Sequence, residues 1–289
     1  MERNTRNIAW AIIAAWLAVT LVSFFAPQIL SANNARFINV ALLSAFTLVH
    51  GSVRYGFRGI AAYFVIAVVV TNVTENCSII TGFPFGQYHH TEAMGPQLWH
   101  VPIIVGPIFA VAGYLSWVLA GIVLRDVFSP QHIHGVARPL IAAFITTSWD
   151  FCVDAIGGTA NRDWVWADGG PWFGVPWLNF FGWMLTMWII FQLFSFYLAR
   201  RAELRAIAAD SPYFTQVIVY WTLIALQFPL LALIVPDLTF TDPVGHEWHS
   251  SHLFESMALV SFFTMLFVSV VACSVISRQS SKPGSSHNG

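Results

Sequence analysis

Apolar stretches of bilayer length recur along this chain, with only short polar connections between them. Eight can be marked, at 8–25, 37–51, 60–74, 101–124, 139–156, 176–199, 217–235 and 253–276. A hydrocarbon core about 30 Å thick is crossed by roughly 20 residues of helix. Inside lipid, every backbone N–H and C=O must be satisfied within its own segment. The sequence therefore predicts an all-α integral membrane protein of about eight transmembrane helices, the second and third being short. Only 9% of the 289 residues are charged, against about 25% in soluble domains. A single polytopic domain is expected over 1–278. The Ser/Lys/Pro/Gly-containing tail 279–289 reads as disordered and cytoplasmic. The first stretch reads as a retained span and not a cleaved signal.

Basic residues set the expected orientation. Arg3, Arg6, Arg54, Arg58, Arg125, Arg138, Arg200, Arg201, Arg205, Arg278 and Lys282 fall on one side of an eight-span alternation, and only Arg36 and Arg162 on the other. The positive-inside rule then places both termini in the cytoplasm of a multi-pass cell-membrane protein. A formal net charge of −1 gives no basic face for nucleic acid. Cys77, Cys152 and Cys273 are too few and too scattered for a disulfide framework or zinc knuckle. Nothing in the sequence indicates an oligomeric state.

With that orientation, acidic and histidine side chains gather towards the outer half of the bilayer. Asp150 and Asp154 are the most informative. If their helix begins near Pro139, Asp150 lies roughly 16 Å along it, at hydrocarbon depth. An i,i+4 pair shares one helix face, and two carboxylates so close in low dielectric cannot both ionise comfortably. A carboxyl group that keeps its proton beside an apolar cavity is a proton donor; the alternative is that each Asp satisfies a polar group on a neighbouring helix. Glu75 is a third carboxylate at similar depth, suited either to a proton relay and water positioning or to capping its span. Asp163 and Asp168 follow in a Trp-rich loop.

His246, His249 and His252 lead into the last span at three-residue spacing, ahead of Glu255. Successive steps of three spiral around a helix and do not align. Two neighbours are still candidates for a metal, with His89, His90 or His100 as further ligands. The H-E-x-x-H signature is absent, so no metal or other cofactor is assigned. Trp149, Trp164, Trp166, Trp172, Trp177 and Trp183 crowd the carboxylate region. They read either as an interfacial belt or, in part, as rings that stabilise a developing cation.

Three blocks carry a family resemblance. The first is Thr81-Gly82-Phe83-Pro84-Phe85-Gly86-Gln87-Tyr88 with Val101-Pro102. The second is Trp149-Asp150-Phe151-Cys152-Val153-Asp154, followed by Trp164-Val165-Trp166. The third is Phe173-Gly174-Val175-Pro176-Trp177-Leu178-Asn179-Phe180-Phe181-Gly182-Trp183. In this order they resemble the carotenoid biosynthesis membrane family typified by the bacterioruberin-type and gamma-carotene carotenoid hydratases. The departures are His89-His90 in place of further aromatic residues, Ala155 in place of a proline after the second Asp, and the 246–255 histidine cluster.

The resemblance implies a cofactor-independent hydratase that adds water across the terminal double bond of a lipid-soluble isoprenoid. Asp150 and Asp154 are then acid and partner, and Glu75 serves water or proton relay. Tyr88, Phe83, Phe85, Trp149, Trp166, Asn179 and Trp183 line the substrate site. A terpene or prenyl cyclase would use the same proton-initiated chemistry, with an internal alkene capturing the cation. A proton- or cation-coupled transporter is the reading from another class, and a histidine-metal oxidoreductase a further one; no internal repeat of the kind common in transporters is visible.

Overall fold

A computed structural model of the chain describes residues 3–128, 135–200, 207 and 211–280. Arg201, Arg205, Lys282 and the tail 281–289 lie outside the described residues. The helices are α1 (Arg3–Phe25), α2 (Ala32–Thr81), α3 (Val105–Val123), α4 (Ala137–Asp154), α5 (Trp177–Ala199), α6 (Pro212–Ile234), α7 (Ser250–Val260) and α8 (Phe267–Ser280). A π-helical turn, Ala155–Ala160, continues α4, and another, Ser261–Leu266, joins α7 to α8. Among the described residues, seven continuous helices are long and apolar enough to cross a membrane. The protein is an all-α membrane protein.

The expected second and third spans occur within one 50-residue helix, α2. At 1.5 Å per residue a straight helix of that length would measure about 75 Å, more than twice the hydrocarbon core. It does not run straight. Gly56 has φ 68° and ψ 164°, a region that essentially only glycine occupies. A Cβ on Gly51 would lie 2.5 Å from Ile60 Cδ1, whereas nine residues of continuous helix would separate them by about 13 Å. His50 and Tyr63 also reach the same stretch of α3, at Tyr114 and the Ala110 carbonyl. The chain folds back at Gly56, and α2 supplies two antiparallel segments.

α3 is the central helix, buried along almost its whole length. Small residues let its neighbours close in, as is usual between helices in lipid. A Cβ on Gly113 would stand 2.5 Å from Met187 Cε and 2.7 Å from the Tyr63 hydroxyl. Large apolar side chains on the other helices face outwards, among them Val65, Val69, Phe196, Leu233, Phe263 and Phe267, as a lipid-facing surface requires. At the end of the bundle where the arginines gather, buried Arg138 bonds the Trp117 carbonyl and lies over the Trp117 ring, with Asp126 at 3.4 Å.

The opposite end carries short strands that the apolar periodicity does not announce. β1 (Tyr88–His90) pairs antiparallel with β4 (Trp164–Trp166), β2 (Gln97–Leu98) with β3 (Val101–Pro102), and β5 (Thr239–Thr241) with β6 (Glu247–His249). Residues 101–102, expected to open a span, are therefore strand, and the helix begins at Val105. α6 begins at Pro212, earlier than the expected 217, with Ser211 capping it. The last helix extends to Ser280, so residues 279 and 280 of the expected tail are helical.

Candidate active site

The strand pair β1–β4 builds one wall of a cavity of about 320 Å³. Its register sets Tyr88 opposite Trp166 and His90 opposite Trp164. Alternation along a strand sends Tyr88 and His90 to one face and His89 to the other, and His89 is accordingly exposed. Trp164 and Trp166 rest against the π-helical turn, where a Cβ on Gly157 would lie 2.2 Å from the Trp164 ring. Only glycine there lets the indole lie so close. π turns of this kind are frequent at functional sites.

The other walls come from helices. α3 contributes Phe109, which stacks on Trp183 of α5 at 3.7 Å between ring centroids. Trp149 of α4 meets Trp183 edge-on at 6.0 Å. α1 and α6 add Trp16, Phe24, Trp221 and Phe228. Into this largely apolar enclosure project Asp154, Glu75 and Asn179.

Asn179 holds the aspartates together. Its amide nitrogen donates to Asp150 Oδ2 at 3.3 Å and also to Asp154 Oδ2. Asp150 is fully buried and does not line the cavity; its Oδ1 has no hydrogen-bond partner among the described protein atoms. Asp154 therefore faces the cavity and Asp150 stands behind it. Glu75 comes from the second half of α2, accepts a hydrogen bond from the Tyr88 hydroxyl, and has His90 Nε2 at 3.4 Å. At the rim Arg36 pairs with Asp163 at 2.6 Å, and Asn161 reaches the same carboxylate.

Of the residues expected from sequence, Asp154, Glu75, Tyr88, Phe85, Trp149, Trp166, Asn179 and Trp183 all line this cavity. Phe83 does not: it is 59% exposed, because the turn at Gly82 (φ 81°) sends it outwards while Phe85 turns in. Trp177 also faces out, and Trp172 packs on Phe151 while bonding its carbonyl. His246, His249 and His252 do not converge on a metal site. His246 is held by Asp242 at 3.2 Å and His249 by Asp237 at 3.3 Å. No group of three or more His, Cys, Asp or Glu side chains is placed to hold a metal among the described residues. Partial removal from water would push the Asp242 carboxyl up. Hydrogen bonds from the His246 N–H, the Trp248 indole and the His246 ring outweigh it and hold that carboxyl below its usual range.

Sequence reasoning missed the inward turn of His90, the Arg36–Asp163 pair and the stacked Phe109. The i,i+2 spacing of Tyr88 and His90 was the available signal, hidden because three residues are too few for a strand pattern to stand out.

Residues 36–241 match the model of a family described as carotenoid biosynthesis protein. That span is well over half the chain and contains every residue of the cavity's polar cluster. The chain belongs to the carotenoid biosynthesis protein family. It is also 25% identical over 197 residues to bisanhydrobacterioruberin hydratase of Haloarcula japonica, a match covering 62% of this chain and 62% of the relative. No solved structure matches. In this multi-pass membrane protein, three carboxylates meet at one apolar cavity and its margin.

Proposed function

We propose that the protein is a hydratase that protonates a terminal isoprenoid double bond and adds water to the cation formed. The supporting observation is that Asp154, backed by Asp150 and clamped by Asn179, enters a cavity whose other walls are mostly apolar and include many aromatic rings. Protonating a trisubstituted alkene needs a carboxyl group facing the double bond inside an apolar site, and Asp154 is so placed. The resulting tertiary cation lies among the rings of Trp183, Trp149 and Trp166, and aromatic quadrupoles favour positive charge. Glu75, bonded to Tyr88, orients the water. One C–H and one C–O bond form, one alkene π bond and one water O–H bond break, and no electron acceptor is required.

The cavity lies at the small end of ligand pockets, so it takes the end of a long polyene while the remainder leaves between helices into lipid. Phe24 of α1 and Leu231 of α6, both half-buried at the cavity margin, mark that path. The test is pigment mass in bacteria that accumulate an acyclic carotenoid and express this protein. A product heavier by one water supports the reading. An isomer of unchanged mass would replace it with cyclisation.

A further inference from the structure

His90 stands apart from the other polar groups of the cavity. Its side chain is 4% exposed, and neither ring nitrogen has a hydrogen-bond partner among the described protein atoms. Buried polar groups are almost always satisfied, and an exception calls for an explanation. A histidine that merely filled space would not need to line the cavity with a ring nitrogen beside a carboxylate. The ring is fixed firmly: Tyr88 meets it edge-on at 5.3 Å and Trp164 at 6.3 Å, while the β1–β4 register locks the backbone. Nε2 lies 3.4 Å from Glu75 Oε2 without hydrogen-bond geometry. The same strand pair presents a second buried, unpartnered polar atom, the Trp166 indole nitrogen.

We propose that His90 is the catalytic base that takes the proton from the added water, with Glu75 beside it stabilising the imidazolium. The inference rests on the hydratase reading. Asp154 gives its proton to the CH carbon of the terminal double bond, and the cation forms at the dimethyl carbon. The water oxygen bonds to that carbon as one water O–H bond breaks and its proton passes to the free imidazole nitrogen. The imidazolium returns that proton through Glu75 to the Asp154 carboxylate, so each turnover consumes one water and changes no oxidation state overall. Acid and base thereby sit on different elements, Asp154 on α4 and His90 on β1, and can be separated by mutation.

The experiment uses membranes containing the full chain, an acyclic carotenoid substrate and heavy water. Wild-type protein should give hydrated product with one carbon-bound deuterium. His90→Gln should still place deuterium on the recovered alkene or its double-bond isomer, because protonation by Asp154 persists. Its hydration should fall about 100-fold or more, the usual contribution of a general base. His90→Asn serves as the second variant, and retained deuterium exchange in either variant itself reports a folded site. Hydration at the wild-type rate in either variant would overturn the assignment. Loss of exchange together with hydration in both would also overturn it, by placing His90 with the acid or the fold. If wild-type protein neither exchanges nor hydrates, the hydratase reading fails and the base assignment fails with it.

Discussion

At the scale of single residues, the carboxylates were legible because acidic side chains at hydrocarbon depth are costly and rarely incidental. Their division of labour was not. Spacing places Asp150 and Asp154 on one helix face but does not say which meets the cavity; that depends on α5 bringing Asn179 between them. The result is an asymmetric prediction. Asp154→Asn should lower turnover by roughly 10²–10⁴-fold, the range of a lost general acid. Asp150→Asn should cost less, since Asp150 reaches the cavity only through Asn179 and Asp154. Pigment yields normalised to membrane protein level would measure both. Equal yields from both variants and the wild type would remove the aspartates from the acid role. Phe83 shows the converse error: the resemblance pointed to it, and a left-handed turn at Gly82 turned it away.

At the scale of elements, hydropathy located the helices well and the loops poorly. Apolar runs are sufficient to announce a span, whereas β1–β4 joins residues more than seventy positions apart through strands of three residues each. No local periodicity reveals such a pairing. The hairpin in α2 is a related case, because its reversal depends on one glycine. Gly56 has open space where a Cβ would go, so a methyl group there meets backbone strain and no clash. Gly56→Ala should therefore destabilise the protein by about 1–3 kcal/mol, measured as a lower thermal midpoint in detergent. Unchanged stability would mean that the turn tolerates another conformation.

At the scale of the whole molecule, the arginine-rich end and the carboxylate-rich end lie at opposite ends of the helix bundle. Arg54 bonds the Val127 carbonyl, Arg138 the Trp117 carbonyl, and Gln216 bonds the Arg6 carbonyl, so these basic segments meet at one end. Arg36 and Arg162 lie at the other, with Asp163 and the Thr241 carbonyl. The positive-inside rule then predicts cytoplasmic termini and a cavity displaced towards the outer half of the bilayer. Reporters fused in turn to each terminus should both read cytoplasmic in intact cells; a reporter exposed on the far side would reverse the assignment. If this cavity joins a solvent water to an isoprenoid cation, the oxygen of the product comes from the solvent. Membranes containing the protein, given an acyclic carotenoid in oxygen-18 water, should yield a tertiary alcohol bearing the label. A hydroxylated product without the label, or an altered carotenoid with no added oxygen, would contradict it.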